Sequence, residues 1–96
     1  MVKLTDRVAR SAQTAAETTP DDMLVLDLRS GRYYGLGEVG GFIWRRLDGE
    51  RDLEEIARAT AVHFAVEPER AARDLVEFIA QLIESGLARE VSTSGT

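Results

Sequence analysis

The chain has no cysteine, a single histidine (His63), two prolines and no excess of positive charge in its 96 residues. Without thiols there can be no disulfide, no thiolate metal site and no cysteine nucleophile. One imidazole supplies neither a histidine metal cluster nor a convincing triad. Long apolar runs are missing too: Met23-Leu24-Val25-Leu26 is the longest, far short of a bilayer span. The first seven residues carry three charges with no apolar stretch behind them, so no targeting segment is expected and the chain reads as cytoplasmic. With 12 basic and 17 acidic side chains the formal charge is −5, which repels phosphate backbones.

What is present suits one small domain. A chain of this length buries roughly 60–70% of the surface its unfolded form exposes, enough for one modest core but no deep enclosed chamber. The apolar content of 44% is ordinary for a globular protein. Residues 1–36 hold five acidic and five basic groups, whereas 37–96 hold twelve and seven; the whole −5 lies in the second part.

The periodicity changes near residue 37. Before it the chain predicts strands: a weak one within residues 7–19, a turn at Thr19-Pro20-Asp21-Asp22, and a hairpin over 23–36. A three-residue loop Arg29-Ser30-Gly31 with left-handed Gly31 would place Leu24, Leu26, Leu28, Tyr34 and Leu36 on the core face. Val25, Asp27 and Tyr33 would then face the other way. After it the spacing predicts helices over 37–48, 52–63 and 68–85, with a flexible tail at 91–96. Asp52 with Glu55 resembles a capping box, Pro68 suits a first helical turn, and Gly86 a C-terminal stop. The last helix carries two apolar rows. Leu75, Phe78 and Leu82 make one; Ala72, Val76, Ile79 and Ile83 make the other. Either a second apolar partner or a helix wedged between two core layers explains the extra row.

Several chemical readings fail on their surroundings. Gly35-Leu36-Gly37-Glu38-Val39-Gly40 fits G-x-G-x-x-G, but a dinucleotide site needs a parallel βαβ unit, and Asp52 is expected to open another helix instead. The glycines suit a strand-to-helix turn. His63 at a helix end and Trp44 on an apolar stripe read as structural, and no acidic pair has the apolar pocket that separates catalytic pKa values. No catalytic group, metal or cofactor is therefore expected. A hairpin with three helices could also be a winged-helix DNA reader. The candidate recognition helix matches its arginines with acids and lacks a basic face, and this reading stands as the alternative. Tyr33 marks the feature of greatest interest: if Arg32–Leu36 lies at a sheet edge, its unpaired backbone beside the spare helix row makes a groove for an extended peptide.

The ordered set Leu26-Asp27-Leu28-Arg29-Ser30-Gly31-Arg32-Tyr33-Tyr34-Gly35-Leu36, Glu38-Val39-Gly40, Ile43-Trp44 and Leu47-Asp48-Gly49 resembles the PqqD-like family. Leu53-Glu54-Glu55-Ile56 and Leu82-Ile83-Glu84-Ser85-Gly86-Leu87 extend it. The style is that of the free-standing leader-binding proteins of lasso-peptide clusters. The resemblance implies an α+β, winged-helix-like fold: a three-stranded N-terminal antiparallel sheet followed by three helices. It implies a non-catalytic module that takes the leader of a precursor peptide as an added strand. The module would present that leader to a partner leader peptidase, with a separate cyclase acting afterwards. Carried onto this chain, the strand side of the groove is Arg32, Tyr33, Tyr34, Gly35 and Leu36. The helix side is Ala72, Val76, Ile79, Ala80 and Ile83, with Arg73, Asp74 and Glu77 available to leader charges. A charge at Val76 or Ile79 should then abolish leader binding in a folded protein. No nucleic-acid or membrane partner is implied, and the open edge allows a monomer or a weak dimer. The chain has Gly37 where the family often has asparagine, a weaker but acceptable helix cap.

Overall fold

The computed structural model describes residues 2–20 and 22–91. Its strands are β1 (Arg7–Arg10), β2 (Thr14–Thr18), β3 (Met23–Asp27), β4 (Tyr33–Gly35), β5 (Asp48–Asp52) and β6 (Ala88–Val91), and its helices α1 (Gly37–Arg45), α2 (Leu53–Phe64) and α3 (Pro68–Glu84). The order is an antiparallel three-stranded sheet β2-β3-β4 near the N-terminus followed by three helices, an α+β fold as expected. Asp21 and the expected tail at 92–96 lie outside the described residues; Val91 ends β6.

The hairpin register differs from the sequence expectation by one residue. Val25 pairs with Tyr34, Leu26 with Tyr33 and Leu24 with Gly35. Met23, Val25 and Asp27 therefore face the core, while Leu24 and Leu26 are half-buried on the outer face and Leu28 is 57% exposed. Tyr34 and Leu36 do pack on the core, as expected, but opposite Val25 and beside Met23. Asp27 causes the shift. Its carboxylate accepts hydrogen bonds from the Arg29 N–H at 2.9 Å and the Ser30 hydroxyl at 3.0 Å, and its backbone N–H donates to the Arg32 carbonyl. The loop thus holds four residues, Leu28 to Gly31, with Gly31 left-handed.

Asp22 immediately precedes β3 and closes the strand-to-helix junction: its carboxylate accepts from the Gly37 N–H at 2.6 Å and the Met23 N–H at 2.7 Å. Gly37 has φ +74°, a conformation that asparagine and glycine tolerate better than other residues, so its role is backbone geometry rather than side-chain capping. Gly40 and Gly41 then let α1 press on two neighbours at once. A Cβ at 40 would lie 3.2 Å from the Phe78 ring on α3, and one at 41 only 3.1 Å from the Met23 Cβ on β3.

Asp52 caps α2 by accepting from the Glu55 N–H at 2.9 Å. Pro68 opens α3 and Gly86 follows its end with φ +79°. Ile43, Trp44, Leu53, Ile56, Leu75, Ile79 and Leu82 meet Met23 and Val25 in one core. Trp44 is buried there, the core position read from the sequence, and the exposed His63 stacks on Phe42 at 4.5 Å.

A second sheet, β5-β1-β6, goes beyond the sequence expectation. β5 is Asp-Gly-Glu-Arg-Asp, with no apolar residue to betray a strand, and β1 and β6 come from opposite ends of the described chain. Val8 of β1 is fully buried and ties this sheet to the core. Because β5 runs antiparallel to β1 in a different sheet from β4, no parallel βαβ unit follows the glycine-rich turn.

Two carboxylates give the fold a defined acid sensitivity. Backbone N–H donation from Arg29 holds Asp27 below the ordinary carboxylate value, and N–H groups of Arg51 and Glu50 do the same for Asp48. Depressed folded-state pKa values stabilise the fold fully above the unfolded value, and that stability is lost as pH falls through the folded value. The urea midpoint should therefore be flat above about pH 5 and drop below about pH 4. Asp27→Asn should flatten that drop; an unchanged acid limb in this variant would rule Asp27 out as a contributor.

Candidate functional site

β4 pairs with β3 on one flank, and among the described residues no strand pairs with the other. Along that open flank runs α3. The hairpin loop meets the C-terminal end of α3, where the Arg29 guanidinium donates to the Gly86 carbonyl at 3.1 Å. The far end of β4 leads through Leu36 to Gly40, which meets Phe78 in the middle of α3. Strand and helix therefore run in opposite directions with a trough between them.

At its α1 end the trough deepens into a cavity of about 440 Å³. Leu36, Val39, Gly40 and Ile43 form one wall and Ala71, Leu75 and Phe78 the other, with Thr60, Phe64 and Val66 closing the end. Arg70 and Asp74 stand at the mouth, 3.7 Å apart and both well exposed. Beside the cavity on α3, Asp74, Glu77, Phe78 and Gln81 line a second hollow. An unpaired strand edge beside an apolar cavity can hydrogen-bond an extended backbone and bury one of its side chains. Among the described residues no group of three or more His, Asp or Glu side chains is placed to hold a metal.

The structure brings only part of the expected site together. Arg32, Tyr33 and Gly35 are exposed along the edge strand, Tyr34 is half-buried, and Leu36 reaches the cavity. On α3, Asp74 lines the cavity and shares a neighbouring hollow with Glu77. Ile79 does not: it is fully buried in the core, and Ala72 packs against that core. Arg73, Val76, Ala80 and Ile83 lie on the opposite flank of α3, in a separate hollow with Val2, Glu84 and Glu90 that Glu77 also borders. The cavity wall instead uses Ala71, Leu75 and Phe78, from the row read as core, together with Val39 and Ile43 of α1. Both apolar rows of α3 were visible in the sequence; which flank turned towards β4 was not, because periodicity fixes relative phase only. The pairing of Gly40 with Phe78 was a usable signal, since a glycine inside a helix often marks a close approach.

The outer face of the β2-β3-β4 sheet is also apolar. Leu24 and Leu26 are half-buried there, with Leu28 and Tyr33 57% and 65% exposed.

The family description Coenzyme PQQ synthesis protein D (PqqD) matches residues 22–88, which include β3, β4, all three helices and the groove between them. The chain belongs to the PqqD family. Two solved structures share the fold of this PqqD-family protein. "TbiB1 in Complex with the TbiA(beta) Leader Peptide" superposes with a TM-score of 0.78 at 28% identity, over 88% of this chain and 98% of that one. "Lasso peptide synthetase B1 complexed with the leader peptide" gives 0.77 at 26% identity, over 86% and 98%. No curated protein sequence matches the chain.

Proposed function

We propose that this PqqD-family chain is a non-catalytic recognition module of lasso-peptide biosynthesis, which binds a precursor's leader segment as a strand added to β4. The observation that carries the reading is the open β4 edge beside the apolar cavity, in a fold shared with two proteins solved as leader-peptide complexes. Main-chain hydrogen bonds to Tyr33 and Gly35, whose backbone groups face the open edge, give affinity, and one leader side chain enters the cavity between Val39 and Phe78. Each buried apolar anchor contributes about 1.5–3 kcal/mol, so two or three anchors, less the ordering of the peptide, give micromolar to sub-micromolar binding.

A fluorescein-labelled leader peptide from the precursor encoded beside the chain tests this, with the TbiA(beta) leader as a second probe. Expected are saturable binding and amide shifts at Tyr33–Leu36. No binding of either peptide sinks the reading, and tight, steeply salt-dependent binding of duplex DNA would favour the winged-helix alternative.

The module acts in the cytoplasm and hands the leader to a separate leader peptidase, and the cyclase follows. The outer sheet face supports a protein partner, because an exposed apolar surface rimmed by an open edge is the kind of patch that marks a docking site. A strand added at β4 lays alternate side chains on that face, so the peptidase meets leader and module together. Leu28→Glu should leave leader binding unchanged and slow leader removal about tenfold in a reconstituted reaction, the loss expected when one contact of about 1.4 kcal/mol is removed. Undiminished cleavage would move the peptidase to another surface.

A further inference from the structure

β4 spans only three residues and has strand pairing on one side. Tyr34 and Leu36 pack on the core that α3 shares, but a groove that accepts a strand also needs its hairpin end held. At that end one side chain reaches from the hairpin loop to the close of α3. The Arg29 guanidinium donates through one terminal nitrogen to the Gly86 carbonyl at 3.1 Å, and its Nε lies 3.6 Å from the Asp27 carboxylate.

Both ends of this connection are built for it. Asp27 is 5% exposed and anchored by the Arg29 N–H and the Ser30 hydroxyl, whose oxygen in turn accepts from the Arg32 N–H at 3.2 Å. The carboxylate is therefore fixed relative to the start of β4. At the other end the acceptor is the carbonyl just past α3, where unpaired carbonyls and the negative end of the helix dipole favour a cation. A Cβ at residue 86 would fall on the guanidinium, so glycine leaves the space that Arg29 occupies.

We propose that Arg29 is a positioning residue: a strap from the Asp27-braced hairpin to the end of α3 that sets the width of the groove. This rests on the leader-binding reading, because only an inserted strand makes the width matter. Arg29 itself lies outside the cavity lining and keeps 55% of its side chain exposed. A strap acts by reducing the conformations the empty groove samples, which raises affinity without a new contact to the ligand.

The lack of cysteine makes a direct measurement simple. Spin labels at Arg32→Cys and Gln81→Cys report the distance between the walls in the free protein. With Arg29 present a single narrow distance distribution is expected. Arg29→Ala should broaden it about twofold or split it, since a segment with few fixed contacts opens locally. In the unlabelled protein the same substitution should weaken the leader probe about five- to tenfold. The thermal midpoint should stay near wild type, because an exposed ion pair adds little stability. An unchanged distance distribution in Arg29→Ala overturns the strap whatever the leader does, and so does a broadened one with unchanged leader affinity. If the distance broadens while even the wild type binds no leader, the strap stands and the leader-binding reading fails.

Discussion

Val39→Asp should leave a folded protein that no longer holds a leader peptide. Val39 is 45% exposed in the first turns of α1, where a carboxylate is tolerated and suits the helix dipole, so circular dichroism and thermal midpoint should change little. Its side chain lines the cavity facing Phe78, and binding an apolar anchor there would force a carboxylate out of water. Such desolvation costs about 2–3 kcal/mol or more, so affinity should fall about 30- to 100-fold. The paired control is Val76→Asp, at a half-buried position on the opposite flank of α3, which should bind within about twofold of wild type because a charge there lies away from the cavity and is screened by solvent. Read from the sequence, Val76 was the sensitive position, whereas the cavity lining favours Val39. Anisotropy titrations of the two variants decide it, and the opposite ranking would restore the original helix face.

Ile79→Asp should abolish the fold altogether. Ile79 is 0% exposed and packs in the same cluster as Val25, Trp44, Ile56 and Leu75. An unpaired carboxylate there costs about 4–5 kcal/mol or more, against a total stability of about 5–15 kcal/mol for a domain of ordinary size. The cooperative thermal transition should disappear, whereas Ile79→Val should retain it at a cost of about 0.5–1.5 kcal/mol. A cooperative transition near the wild-type midpoint in Ile79→Asp would place this side chain at the surface, where the sequence reading had put it.

These two positions show why the site was only partly legible. Arg32 to Leu36 could be assigned to a hairpin's return strand from turn chemistry and alternation, whereas its place at the sheet edge came from the tertiary strand order. The register could not be fixed that way. A three-residue and a four-residue loop differ by one residue, and the choice was made by the hydrogen bonds that the Asp27 carboxylate accepts from the Arg29 N–H and the Ser30 hydroxyl, which no periodicity reveals. β5, with five polar or glycine residues, is a strand only because β1 lies beside it.

The sequence by itself determined the class of protein: a small acidic α+β chain with no cysteine and one histidine, a hairpin before residue 37, three helices after it, and a motif order resembling PqqD-like proteins. Composition and local periodicity suffice for that, because they depend on residues close together in the chain. Only the tertiary structure decided which flank of α3 faces β4, which hairpin face is buried, and that Arg29 reaches Gly86. Those outcomes depend on contacts between distant residues, and an amphipathic helix with two apolar rows packs either way until its neighbours are in place.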